Sequence, residues 1–406
     1  MKIAAVIAEF NPFHNGHAHL IREIREKCDA DYVVAIISGD FVQRGIPAVC
    51  DKFTRSEAAV RCGVDAVFEL PAVFASSAAP DFSFGGVSAV NAMNCIDVLG
   101  FGSECGDISR LQKAADLLSN ETPGFKESLK AAMKEGLSYP AALSEAATTK
   151  DPSLKALLRD PNNTLAIEYI KALKKLDSPI LPYTVPRHLS AHGEEKILKD
   201  SENGLSYTGA TYIRNCLLDI ERSEELKACV PEGCSSILLP RLNREFPVRA
   251  EDFSLPLSVM LEKMTEDEIT ALPGNPSLKE KLKKHRKEFL SFTDLKLLLR
   301  DKSVTDAAVS RFLIHALLSL KETDIDRTSG TSYLRLLAMK KEASPLLKQI
   351  KEKASVPVIT KMADFDIDAC TMLQKDICAA DLYEKVRAAK FGTLYKNDII
   401  HSPVIV

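Results

Sequence analysis

The 406-residue chain carries 53 Lys and Arg against 56 Asp and Glu, a formal net charge of −3, with 46% apolar and 27% charged residues. That apolar content excludes disorder as the main state, and the near-neutral balance excludes a uniformly basic coat for nucleic acid, though not a local basic face. The length predicts two or three domains whose cores need no staples.

Residues 2–8 (KIAAVIA) are a short apolar run ended by polar residues and Pro, which predicts a buried strand. Helical spacing follows from Gly16 through Leu20, Ile21, Ile24 and Cys28, and residues 32–38 (YVVAIIS) predict a second buried strand. Strand, helix, strand is a βαβ unit with parallel strands. The alternation continues with a helix over 53–62, a strand over 64–70, a helix over 83–94 and a strand over 96–102. An α/β fold with a doubly wound parallel sheet is therefore expected. Residues 106–177 read as mainly helical and 178–187 (SPILPYTVPR) as extended; 207–218 open on a hydroxyl and Gly, then turn helical. Beyond about 220 the alternation stops, and 255–272, 277–300, 304–321 and 331–354 carry helical patterns. Pro231, Gly233, Pro240 and Pro247 mark a boundary, giving a domain over 1–220 and a mainly α-helical one over 221–406.

None of the ten cysteines forms a CxxC pair, so no zinc ribbon and no metal-ligating set is expected. Small buried thiols suit a reducing cytoplasm. The first residues lack a signal-peptide pattern, and no run of 18 apolar residues predicts a membrane span.

The stretch Glu9-Phe10-Asn11-Pro12-Phe13-His14-Asn15-Gly16-His17 joins the first strand to the first helix. Ligands of open α/β sheets bind at such carboxyl ends, and a helix N-terminus favours phosphate. Gly16 would let the backbone approach a polyphosphate. His14 and His17 would hydrogen-bond phosphate oxygens and stabilise charge developing on an α-phosphate, which makes them the candidate catalytic pair.

This HxGH stretch resembles the HxGH nucleotidyltransferase superfamily, whose members attack the α-phosphate of ATP. The superfamily's second landmark, a hydroxyl-rich helix start, is matched by Thr208-Gly209-Ala210-Thr211-Tyr212-Ile213-Arg214. No KMSKS-like stretch is present, which argues against an aminoacyl-tRNA synthetase. The whole chain resembles the bacterial tRNA(Met) cytidine acetate ligase family, on AEFNPFHNGH (8–17), SGDFVQRGIPA (38–48), DKFTRSEAA (51–59), LGFGSE (99–104), NNTLAIEYIKAL (162–173), YTGATYIR (207–214), SYLRLLAMKKEASPLLKQI (332–350), ADLY (380–383) and SPVIV (402–406).

The resemblance implies that acetate is joined to AMP from ATP, with Mg²⁺ accompanying the nucleotide. The acetyl group then passes to the wobble cytidine of elongator tRNA(Met), giving N4-acetylcytidine without acetyl-CoA. It also implies ATP contacts along Ile7, Ala8, Glu9, Phe10, Asn11, Pro12, Phe13, His14, Asn15, Gly16, His17, Ala18, His19 and Leu20, and at Gly102, Asn162, Asn163, Arg187 and His188. Asp40, Arg44 and Lys52, with Thr208, Thr211 and Arg214, are expected to touch substrate or triphosphate. Asp40, Ile46 and Gly209 depart from the residues usual in the family.

Residues 279–302 hold nine Lys or Arg against four acids, and 331–361 hold seven against two, so each stretch carries +5. Such segregation is what an RNA-binding face on an acidic body requires. Lys283, Lys284, Arg286, Lys287, Arg335, Lys340 and Lys341 are the expected tRNA contacts. Two other readings compete: a metabolic adenylyltransferase acting on a small phosphorylated substrate, and a non-catalytic RNA-binding module.

Overall fold

The computed structural model describes residues 1–119, 122–135, 137, 139–187, 197–200, 204–217 and 222–406. Strand β1 (Ile3–Ala8) leads into helix α1 (Asn15–Lys27), and β2 (Tyr32–Ser38) into α2 (Lys52–Arg61). Then come β3 (Ala66–Leu70), α3 (Ala79–Ala92) and β4 (Val98–Ser103). A run of helices ends in α4 (Pro161–Lys175), which feeds β5 (Leu181–Pro186). These five strands are parallel, in the order β3-β2-β1-β4-β5. They are apolar because helices cover both faces, as in any doubly wound sheet. The order reverses at β1, so the crevice between the carboxyl ends of β1 and β4 is the topological switch point.

Helix α5 (Ala210–Leu217) follows, then a helical region with α6 (Pro276–His285), α7 (Phe292–Leu299) and α8 (Asp306–Leu317). The helical pattern over 331–354 resolves differently: β6 (Leu334–Met339) precedes α9 (Ser344–Lys353). All six residues of β6 are buried, so no polar face revealed a strand, and a short apolar run does not distinguish strand from helix. β6 pairs antiparallel with β3, with Leu336 opposite Phe68 and Met339 opposite Ala66. β7 (Val358–Ile359), α10 (Thr371–Phe391) and β8 (Val404–Ile405) complete the chain, and both short strands add parallel to β6. The sheet thus has eight strands, three of them from beyond residue 330.

Under this edge lies a buried cluster of charge. Lys52 Nζ meets Glu69 at 2.8 Å and Asp398 at 3.1 Å, and Arg335 pairs with the same two carboxylates. All four side chains are almost fully buried. Buried charges are tolerated only when paired this completely.

All ten cysteines are free; five are buried, four half-buried and Cys378 exposed. No described helix is long and apolar enough to cross a membrane. No group of three or more His, Cys, Asp or Glu that could hold a metal occurs among the described residues.

Candidate active site

The HxGH stretch builds its own helix start. His14 is the N-cap of α1, with extended backbone, and its Nδ1 accepts from the Gly16 N–H at 3.1 Å. The His17 Nδ1 accepts from the His14 N–H at 3.2 Å. This is a reciprocal capping box made from two imidazoles. An Nδ1 that accepts a hydrogen bond carries no proton, so each neutral ring keeps its proton on Nε2. The rings stack at 3.6 Å between centroids, with Phe10 and Phe13 against His17. Burial, together with Arg187 and Arg214, pushes the His14 pKa down to about 3; burial and His14 hold His17 well below the usual histidine range. Capping therefore leaves two neutral Nε2–H donors at the switch point.

Gly16 serves these rings. A Cβ there would stand 3.0 Å from the His14 ring, and the Gly16 N–H is already bonded to His14. The glycine therefore has a packing reason of its own at this position.

The loop before the cap is pinned on several sides. Asn11 Oδ1 accepts from Val49 N at 2.8 Å, and Arg214 donates to Asn11 O at 3.0 Å and to Thr211 Oγ1 at 3.0 Å. Asn15 is buried and donates to Ser206 O and Ala228 O, which ties the start of α1 to the segment before Thr208. Ile7 and Ala8 end β1, while Ala18, His19 and Leu20 lie on the first two turns of α1. Pro12 follows a cis peptide bond, and Phe10 has a φ of 44°.

Across the crevice, Glu104 follows β4 and organises α4. It accepts from Asn162 Nδ2 at 2.6 Å and from Asn163 N at 2.8 Å, and Asn163 Oδ1 accepts from Cys105 N at 3.0 Å. Gly102, the last residue but one of β4, lies beside Arg187, whose Cγ would stand 3.6 Å from an added Cβ, an ordinary contact. Arg187 follows β5, and its charge acts on both histidines. His188 lies outside the described residues. At Gly209 an added Cβ would meet nothing within 4 Å, so no steric demand requires glycine at this position.

The structure thus brings together His14, His17, Asn11, Arg214 and Thr211, with Gly102, Asn162, Asn163 and Arg187 at the neighbouring strand ends. It does not bring Asp40 and Lys52 into this group. Asp40 accepts from Lys52 N at 2.8 Å, is raised to a pKa of about 7 by burial, and faces a separate cavity of about 410 Å³ with Tyr383, Asp398 and His401. Lys52 is consumed by the buried charge cluster.

The expected RNA contacts divide. Arg335 is 2% exposed and paired with Glu69 and Asp398, so it has no surface to offer. Lys340 pairs with Asp65, and both Lys340 and Lys341 follow the end of β6 that lies beside the amino end of β3. That is the edge of the sheet opposite the histidines, because β6 runs antiparallel. The stretch 279–302 lies differently. α6 and α7 pack in sequence toward α8, which rests on the hairpin of Phe41–Val42 and Ile46–Pro47 after β2. Here Lys283 pairs with Glu280 and Lys287 with Glu262, Arg286 donates to Met264 O, and Lys284 is exposed without an ion pair among the described residues.

Two residues not singled out from the sequence hold this region together. Arg55, 1% exposed, donates to the carbonyls of Glu9, Ser38, Gly39 and Cys50, and so joins the loops after β1 and β2. Glu104 orients both asparagines of α4. Both stand inside the stretches that carried the family resemblance, but only the fold shows what they touch.

A model of the HIGH nucleotidyl transferase family matches residues 1–397. A tRNA(Met) cytidine acetate ligase of Caldanaerobacter subterraneus is 34% identical, with all of both chains covered. Among solved structures, Thermotoga maritima TmcAL bound with alpha-thio ATP superposes with a TM-score of 0.86 at 28% identity, and its apo form with 0.88, each over the full length of both chains. Fold, switch-point histidines and full-length similarity agree: the chain belongs to the tRNA(Met) cytidine acetate ligase family, within the HIGH nucleotidyl transferases.

Proposed function

We propose that this chain is an ATP-dependent tRNA(Met) cytidine acetate ligase. The observation that carries the reading is the pair of neutral Nε2–H donors at the switch point, flanked by Arg187 and Arg214, in a chain that matches such ligases end to end. An acetate oxygen attacks the α-phosphorus of MgATP, the bond to the pyrophosphate oxygen breaks, and pyrophosphate leaves. His14 and His17 donate to the phosphoryl oxygens as charge accumulates there. The cytidine N4 then attacks the carbonyl carbon of the mixed anhydride, AMP departs, and the amine proton is lost to solvent. Acetyl-CoA takes no part. Gly102 leaves room for the nucleotide beside Arg187, and Asn162 and Asn163, set by Glu104, serve its base and ribose. Thr208, Thr211 and Arg214 serve the triphosphate.

We assign activation to residues 1–220 and RNA binding to the helices within 221–406. The site of action is the cytoplasm, where ATP and tRNA meet and free thiols stay reduced. Incubation with ATP, labelled acetate and unmodified tRNA(Met), followed by nucleoside analysis, should put label in N4-acetylcytidine. Cytidine without label, under conditions where pyrophosphate is released, would overturn the reading. Exchange that needs a phosphorylated metabolite instead of acetate would establish the adenylyltransferase alternative.

A further inference from the structure

The hairpin after β2 is wedged between the histidine loop and the helical region. Gly45, at φ 72°, lies so close to α8 that a Cβ would stand 2.1 Å from the Arg311 backbone nitrogen. Arg311 Nη1 donates to Gln43 O at 3.2 Å, and Gln43 N donates to Glu9 Oε1 at 3.0 Å. Arg44, between Gln43 and Gly45, is exposed at the tip. Its charge acts on Arg214, which in turn holds Asn11 O in the histidine loop. Arg311, Arg44 and Arg214 therefore form a row leading from α8 to the catalytic crevice. Neither Arg44 nor Arg311 forms an ion pair among the described residues. Most neighbouring cations do: Lys296 and Arg300, on and just past α7, share Asp306 at the start of α8, and Lys281 on α6 pairs with Asp301. A half-buried arginine and an exposed one beside it, both kept without a carboxylate, are suited to an anion that arrives with a ligand.

We propose that Arg311 and Arg44 form a binding site for the phosphodiester backbone of single-stranded RNA, gripping phosphates beside the target cytidine so that its base enters the crevice. The inference rests on the ligase reading, and it explains why the hairpin is fixed on both sides. A base can reach the adenylate only if it leaves the stack, and its backbone must then be held at the rim. The shared chemistry is phosphate, and it has two sources here, the RNA backbone and the triphosphate of ATP.

The test compares wild type, Arg44→Gln and Arg311→Gln. tRNA(Met) affinity is measured across a KCl series, and the KM for ATP by acetate-dependent pyrophosphate exchange without RNA. Each variant should bind tRNA about tenfold more weakly at low salt. The slope of log affinity on log salt should shrink by about 0.7 per arginine. Unchanged affinity and slope in Arg44→Gln, whose exposed side chain props up nothing, would overturn the proposal even if Arg311→Gln unseats the hairpin. A raised KM for ATP in Arg44→Gln with unchanged tRNA affinity would assign the site to the triphosphate and overturn it as well. Wild type that binds no tRNA(Met) would sink the ligase reading itself, and this inference with it.

Discussion

At the scale of residues, the two histidines cap a helix and present donors at once. The same capping bonds that close the first turn of α1 fix which ring nitrogen keeps its proton. His17→Ala removes one phosphoryl donor and should slow acetate-dependent pyrophosphate exchange by about 10²–10³, the range for losing one such donor. A rate within twofold of wild type would reject the role. The histidines were legible in the sequence because an HxGH after the first strand is a local pattern. The packing of His14 against Gly16 was not, since a sequence does not show that the ring folds back over it. Nor was the burial of Asp40 legible, because its surroundings come from distant segments.

At the scale of elements, the first four parallel strands were legible from their apolar runs and spacing, while 178–187 read only as extended; of the helices beyond 221, those between 254 and 317 were legible, but the long α10 was not. β6 was hidden by the absence of alternation. Arg335 and Lys340 read as part of a basic stretch, whereas their partners Glu69 and Asp65 are more than 260 residues away. Local charge counting has no access to such pairs. The hairpin after β2 is the element whose placement matters most for the crevice, and Gly45 sets it. Gly45→Ala would have to displace the α8 backbone while holding a left-handed conformation. It should cost about 2 kcal/mol or more, read as a lowered urea midpoint. An unchanged midpoint would mean that hairpin and helix do not pack this closely.

At the scale of the whole molecule, catalytic sheet and carboxyl-terminal segment are one structure. Strand β6 covers the edge of β3, and Asp398 and Arg335 complete the charges of Lys52 and Glu69. Asp398→Asn keeps the shape but leaves Lys52 and Arg335 sharing one carboxylate. It should destabilise the protein by about 3–5 kcal/mol, measured by urea unfolding at neutral pH, and a loss below about 1 kcal/mol would show that the cluster rearranges to do without it. The same arrangement bears on how the protein is made. Glu69 and Arg335 are 266 residues apart, so at roughly 5–20 residues per second a ribosome delivers the second only after tens of seconds. Through that interval the nascent sheet has an open, apolar edge and a lysine–glutamate pair without its counterparts. Such an edge pairs readily with other strands. The newly made amino-terminal half is therefore the stage of this protein's life at which it most needs shielding.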